Sequence, residues 1–217
     1  MKLTDFKLAA FDMDSTLINI ECIDEIADAA GRKAEVATIT EAAMRGEITD
    51  FKDSLRRRLA LLKGVPESAL EDVYAKRLQM NPGVEKTVQA MKNAGLKLLL
   101  VSGGFTFFSD RVAKRLGFDF SRANVLEIKN GVLTGRVTEQ AWGDIMDGEE
   151  KKRTVLETAR QLGIQPREVI AIGDGANDLP MMSVAGLSVA YHAKPKVREQ
   201  AFIQINTGGM DELLTHF

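Results

Sequence analysis

Leu8-Ala9-Ala10-Phe11-Asp12-Met13-Asp14-Ser15-Thr16 decides the fold. The apolar run reads as a buried strand, and two carboxylates follow it two residues apart. Side chains at i and i+2 of an extended segment point the same way, so Asp12 and Asp14 share a face and Met13 points to the other side. Paired carboxylates repel unless a cation or a proton relieves the charge. The pattern suits a hard metal such as Mg²⁺, bound through oxygen. It equally suits an aspartate nucleophile beside an acid/base aspartate, or a polar turn in which Asp14 or Ser15 caps a helix.

Outward from this stretch the chain alternates helix, glycine and apolar strand. Gly95-Leu96, Gly117-Phe118, Gly163-Ile164 and Gly186-Leu187 each read as a glycine just past a helix end with a hydrophobic contact after it. Strands are expected at Leu98 to Val101, Val169 to Ile172 and Leu187 to Ala190, with a short one at Phe202 to Ile205. Such alternation predicts an α/β fold, a Rossmann-like doubly wound parallel sheet with right-handed crossovers. Asn130-Gly131, between Val125 to Ile128 and Val132 to Val137, adds a β-hairpin.

Between the first strand and Asn81-Pro82-Gly83 no strand is convincing. Helices are expected over Ile20 to Ala30 with Gly31 as terminator, Lys33 to Arg45, Asp50 to about Leu62, and Glu67 to Leu78 behind Pro66. Residues 17–80 therefore read as a helical cap inserted into a core of residues 1–16 and 81–217.

Composition narrows the chemistry. A chain of 217 residues, 45% hydrophobic, can bury a full core, and no stretch approaches the roughly 20 apolar residues of a membrane span. The first apolar run is short and meets Asp12 at once, unlike a signal peptide. The 31 acidic and 29 basic residues leave a formal charge of −2, which suggests neither nucleic acid nor an anionic membrane as partner. Cys22 is the single cysteine and reads as a small buried hydrophobe; the expected setting is cytoplasmic. With only His192 and His216, late in the chain, catalysis must rest on carboxylates, lysines and hydroxyls.

Ligands of open parallel sheets bind beyond the carboxyl ends of the strands. Three such ends here carry polar groups: Asp12 and Asp14; Ser102-Gly103-Gly104, a hydroxyl and bare backbone N–H groups just before a helix; and Gly173-Asp174-Gly175-Ala176-Asn177-Asp178. The glycine turn suits an anion, and Asp174 and Asp178 add oxygens for a metal. Lys151, Lys152 and Arg153 offer a cation for phosphate, or a solvated basic turn.

In these motifs the sequence resembles the haloacid dehalogenase superfamily of phosphohydrolases, and within it the branch that acts on phosphoserine. Asp12-Met13-Asp14-Ser15-Thr16 matches the first motif, Ser102-Gly103-Gly104 the second, Lys151 the third and Gly173 to Asp178 the fourth. The similarity runs over nearly the whole chain, including the helical insert and Tyr191-His192-Ala193-Lys194-Pro195. It implies that Asp12 attacks phosphorus, giving an aspartyl-phosphate, and that Asp14 acts as acid and then as base. It implies Mg²⁺ held by Asp12, Asp174 and the backbone carbonyl of Asp14. Ser102, Gly103, Lys151 and Asn177 would hold the phosphate, with Asp178 in support. From the cap, Glu21 would pair with the substrate's ammonium and Arg58 with its carboxylate, under Met44 and Phe51 as apolar lid residues. Since Arg56, Arg57 and Arg58 cannot all face one pocket, at least one is solvated. The implied reaction is hydrolysis of phosphoserine, the last step of serine synthesis, by a monomer or homodimer without the N-terminal regulatory domain of some members. Hydrolysis of another small phosphorylated metabolite, transfer of the phosphoryl group to an alcohol, or phospho-ligand binding without turnover are the other readings.

Overall fold

Strand β1 (Leu8–Phe11) is buried along its whole length, which is why four apolar residues in a row suit it. The computed structural model describes residues 1–44 and 47–217, without the side chains of Ala43 and Met44. Helices α1 (Cys22–Ala29), α2 (Lys33–Met44), α3 (Phe51–Leu61), α4 (Ser68–Lys76) and α5 (Val84–Asn93) follow β1. Then come β2 (Lys97–Phe105), α6 (Thr106–Leu116), β3 (Phe120–Lys129), β4 (Val132–Thr138), α7 (Gly148–Gln161) and β5 (Val169–Gly173). Then follow the single turn α8 (Leu179–Met182), β6 (Leu187–Tyr191), the single turn α9 (Pro195–Arg198) and β7 (Ile203–Ile205), and the chain closes with a 3₁₀ stretch, Met210–His216.

The strands form one sheet in the order β4-β3-β2-β1-β5-β6-β7. Every pair is parallel except β3 with β4. From β1 the chain winds first to β2 and β3 on one side and later to β5, β6 and β7 on the other. The switch of direction lies between β1 and β5, where the crevice for a ligand opens. Alternate residues feed two cores. Phe11, Leu98, Leu100, Ile170 and Ile172 face the cluster that includes Val88 and Met91 of α5 and Phe108 and Val112 of α6. Leu8, Ala10, Leu99, Val101 and Ala171 face Val155 and Ala159 of α7 and Met181 and Met182 of α8. Helices thus cover both faces, as the sequence pattern predicts.

The first cluster also runs on into the helical insert, through Ile26, Leu55, Leu59 and Val73. Two tethers fix the insert. At its ends, Ile18 and Met80 form a bridge, and the Asn81 amide donates to the carbonyls of Thr16 and Ile18 at 2.9 and 3.0 Å. At its middle, the link between α3 and α4 pairs with the hairpin: Gly64 N–H donates to the Leu133 carbonyl and Leu133 N–H to the Val65 carbonyl, both at 2.8 Å. Gly135 permits this docking. Its φ of +82° disfavours other residues, and a Cβ there would stand 3.2 Å from the Leu59 carbonyl oxygen. The hairpin turn has positive φ at both Asn130 (53°) and Gly131 (75°), the turn that Asn-Gly favours.

Several sequence expectations need correction. Strand β2 extends through Ser102-Gly103-Gly104 to Phe105, and α6 starts only at Thr106. The glycines are strand residues, and the pairing of β2 with β3 shifts register between Val101 and Phe105. Gly95, Gly117 and Gly163 have the expected positive φ, but Gly186 does not. Its lack of a side chain serves close packing instead, because a Cβ there would overlap the Arg167 carbonyl. Helix α1 starts two residues later than the periodicity suggests, since Ile20 N-terminal to it belongs to the turn that returns to Ser15. The C-terminal end expected for the second helix falls outside the described residues.

Candidate active site

The carboxyl ends of β1, β2 and β5 face the first turns of α1 and α3 across a cleft of about 710 Å³. Asp12 continues β1, its N–H donating to the Ile172 carbonyl of β5 at 3.0 Å. Then the chain turns sharply: the Met13 carbonyl accepts from the N–H groups of Thr16, Leu17 and Ile18. Ser15 has φ 57°, a conformation that costs a non-glycine residue energy and is typical of functional turns. Its hydroxyl donates to Glu21 Oε1 at 2.6 Å, so the strained turn aims Glu21.

Lys151 is the centre of the charge cluster. It is wholly buried, on the inward side of α7, and Nζ donates to Asp12 Oδ1 and Asp178 Oδ1, each at 2.6 Å. Burial alone would lower its pKa, but Asp12 and Asp178 outweigh burial and raise it, so the ammonium stays charged. Lys152, one residue on, is part-exposed and lies 3.7 Å from Glu149. The structure thus brings Lys151 and not Lys152 to the aspartates. Asp178 is also buried, and its Oδ2 accepts from the N–H groups of Asp174 and Gly175 at 3.1 and 3.0 Å. That folds the Gly173 to Asp178 turn back on itself. Asp12, Asp174 and Asp178 bring carboxylate oxygens within 4.8 Å of one another.

Burial, then the charge of Asp178, raises the pKa of Asp12, which Lys151 opposes. Burial, then Asp178, pushes Asp174 up to about 7. Three carboxylates against one ammonium leave a net of two negative charges. Hard oxygens, a double negative charge and raised pKa values fit a divalent cation, which would relieve all three at once.

Asp14 sits two residues from Asp12 and faces α1. Its Oδ2 accepts from Cys22 N–H at 2.8 Å and its Oδ1 from the Cys22 thiol at 3.2 Å. Burial, then Glu21, pushes its pKa up to about 7, a value from which it can give or take a proton near neutrality. Cys22 is therefore more than the buried hydrophobe expected of it. The capping idea is half realised too: Asp14 accepts from the first N–H of α1, although the N-cap position belongs to Glu21.

Ser102 is buried and its Oγ accepts from Gly104 N–H at 2.9 Å. Gly103 and Gly104 line the cleft with Asn177. Phe51 at the start of α3 faces Gly103, within 3.4 Å of where a Cβ would stand. Arg58 lies further along α3 and lines the cleft with Glu21, while Arg56 and Arg57 are exposed. Met44, expected as a lid residue, has its side chain outside the described residues.

Sequence reasoning missed Asn124. It is fully buried on β3, its amide donates to the Gly103 carbonyl at 2.8 Å, and its Oδ1 accepts from Met146 N–H at 2.7 Å. It ties the glycine end of β2 to the loop that leads into α7 and Lys151. A polar residue between Ala123 and Val125 was the available signal. Lys194 and Asp24, also on the cleft wall, were likewise not singled out.

Comparison with known proteins agrees with this fold. The family model described as haloacid dehalogenase-like hydrolase matches residues 9–183. The chain is 70% identical over 214 residues to a phosphoserine phosphatase of Polaromonas sp., covering 99% of this chain and 91% of that one. It is 48% identical to the longer phosphoserine phosphatase of Haemophilus influenzae, covering 98% of this chain and 66% of the relative. A solved phospho-aspartyl intermediate analogue of a phosphoserine phosphatase superposes with a TM-score of 0.89 at 40% identity, covering 98% of this chain and 99% of that one.

Proposed function

The chain belongs to the haloacid dehalogenase-like hydrolases, and from that premise we propose that it hydrolyses O-phosphoserine to serine and phosphate with Mg²⁺ bound, the closing step of serine synthesis. The observation that carries the reading is Asp12 at the sheet's switch point, held at 2.6 Å by a buried lysine, with a second acid two residues on whose pKa is about 7. A binding module has no need of that second acid.

In the first step an oxygen of Asp12 bonds to phosphorus as the bond from phosphorus to the seryl oxygen breaks. Asp14 gives its proton to the departing oxygen. In the second step water gives a proton to Asp14 and attacks phosphorus, releasing phosphate and restoring the Asp12 carboxylate. Lys151 holds Asp12 in line and offsets the charge of the incoming dianion. Ser102, Gly103 and Asn177 cradle the phosphoryl oxygens, and Asp178 fixes both Lys151 and the Asp174 turn. Asp12 and Asp174, with the Asp14 carbonyl, would hold Mg²⁺, beside Asp178, whose oxygens accept from Lys151 and from the N–H groups of Asp174 and Gly175. When bound, the cation screens the carboxylates from the phosphate and polarises a phosphoryl oxygen. Glu21 and Arg58 take the ammonium and carboxylate of the substrate, with Phe51 as the apolar cover. Uncatalysed phosphomonoester hydrolysis needs acceleration by up to about 10²¹-fold, so positioning and charge at Asp12 outweigh any contribution from the insert.

The test is phosphate release from phosphoserine and other small phosphomonoesters, with and without chelator and acceptor alcohols. Release should be fastest from phosphoserine, stop with chelator, return with Mg²⁺ and yield no phosphorylated alcohol. Equal rates across the panel would leave a hydrolase without this substrate preference.

A further inference from the structure

We propose that Asp24 is a positioning residue for Arg58: its carboxylate takes one edge of the guanidinium so that the other edge faces the substrate's carboxylate. The inference rests on the phosphoserine reading above.

Asp24 follows Glu21 by three residues in the first turn of α1, so the two share a side of the helix, and both line the cleft with Arg58. Asp24 Oδ1 is buried and has no hydrogen-bond partner. A buried carboxylate oxygen left open in this way asks for a donor. At this helical position a carboxylate can reach back to the N-cap N–H, but Oδ1 does not do so. Arg58 is under-used in the same way. Among the described residues its side chain makes one hydrogen bond, a long one from Nε to the Ser54 carbonyl at 3.4 Å. Among the described residues neither Asp24 nor Arg58 forms an ion pair within 4 Å.

Both nevertheless line the same cleft, and each is the foremost opposite charge acting on the other. Burial raises the Asp24 pKa, and Arg58 is the foremost charge that opposes the rise. Burial lowers the Arg58 pKa, opposed first by Asp24 and then by Glu21. Glu21 is exposed and accepts from Ser15 at Oε1, whereas the open Oδ1 of Asp24 is buried. A guanidinium presents five N–H donors on a rigid fork, enough for two carboxylates at once. A substrate carboxylate on one edge and Asp24 on the other would fill both, and would hold Arg58 in the orientation that a bidentate contact needs.

The experiment measures kcat and KM of Asp24→Asn, Arg58→Ala and the double variant on phosphoserine, and on phosphoethanolamine, which lacks only the carboxylate. Asp24→Asn should lose roughly 10- to 100-fold in kcat/KM on phosphoserine, mostly through KM, and no more than about threefold on phosphoethanolamine. Removing Asp24 from Arg58→Ala should add little further loss, the mark of two residues acting as one unit. Asp24→Glu, which restores the charge, should recover part of the activity. Equal losses on both substrates, or additive losses in the double variant, would overturn the proposal, the first pointing to a structural role or to direct reading of the ammonium that both substrates carry, and the second to an action of Asp24 independent of Arg58. A wild-type protein that does not prefer phosphoserine to phosphoethanolamine would instead bring down the substrate reading, and this inference with it.

Discussion

On the sheet side of the cleft the charged groups are engaged, the exposed Lys194 excepted: Lys151 bridges two aspartates, Asp178 closes its own turn, and Asp14 is held at both oxygens by Cys22. On the helical side the engagement is sparser among the described residues: Glu21 accepts at one oxygen from Ser15, Asp24 has a bare buried oxygen, and Arg58 makes one long hydrogen bond. The contrast follows from what each wall has to do. In-line attack tolerates little displacement, so its groups are preorganised before substrate arrives. Selection can wait for substrate, because the substrate itself supplies the missing partners. Chemistry would then reside in the closed wall and discrimination in the open one.

The strongest break of that division is Asp12→Asn. An amide is a poor nucleophile and a poor metal ligand. The variant should lose at least about 10⁴-fold in kcat on phosphoserine and on an aryl phosphate alike. It should melt no earlier than wild type, since it removes one of three crowded carboxylates. Activity near the wild-type level would remove Asp12 from its proposed role.

Glu21→Ala and Arg58→Ala address the open wall. Truncating one partner of a buried charge pair costs about 2–5 kcal/mol, or roughly 30- to 3,000-fold in kcat/KM on phosphoserine. An aryl phosphate offers neither an ammonium nor a carboxylate, so its loss should stay within about tenfold. If both substrates suffer equally, the helical wall does not read the amino-acid end, and the division between the walls fails.

How much of this could be read from residues depends on the same two walls. The sheet-side groups are local to strand ends: Asp12 and Asp14 after β1, Asp174 and Asp178 after β5. A short motif therefore encodes each of them, and strand alternation fixes the face. Lys151 needed more, since the residues themselves offer three adjacent cations; the family resemblance points to Lys151, and the helix phase of α7 turns it inward. Asn124 and Cys22 act through contacts at 22 and 8 residues' remove, with backbone or side-chain partners that no pattern announces. The docking of the insert on the hairpin is of the same kind, because backbone pairing of Gly64 and Val65 with Leu133 leaves no side-chain signature. The strand character of Ser102-Gly103-Gly104 was hidden by the glycines, which on propensity alone end a strand.

Protons should reveal the metal pair on the closed wall. Asp174 has its pKa raised from 3.8 to about 7, by burial and then by Asp178. A raised folded pKa favours the metal-free fold at low pH, and that advantage fades as pH climbs from the unfolded value through the folded one. A cation must displace the proton below about pH 7, so Mg²⁺ affinity should tighten by up to about tenfold per pH unit to that point and level off above it. Titration calorimetry in buffers of different ionisation heat should detect proton release on the acid side. The Mg²⁺-induced rise in melting temperature should be larger at about pH 8 than at about pH 5.5. A flat affinity across that range would mean that the metal displaces no proton from Asp174.

The smallest expected effect sharpens the comparison most finely, because it concerns neighbours on one helix. Successive helical residues point about 100° apart, so Lys151 enters the cluster while Lys152 turns toward solvent. The Lys152 side chain is 35% exposed and its carboxylate neighbour Glu149 is 74% exposed, at 3.7 Å. Such a pair contributes about 0–1 kcal/mol, and its field is screened over a Debye length of about 8 Å. Lys152→Ala should therefore change kcat/KM by less than about threefold and leave the Mg²⁺ dependence unaltered. Lys151→Ala leaves Asp12 and Asp178 buried without their cation, a loss of the kind that costs about 3–5 kcal/mol in stability. Kinetics and thermal melts of the two variants, side by side, read the difference. If Lys152→Ala cost tenfold or more, the preorganised wall would extend beyond the buried cluster to the surface of α7, and its closed contacts would not be what sets it apart.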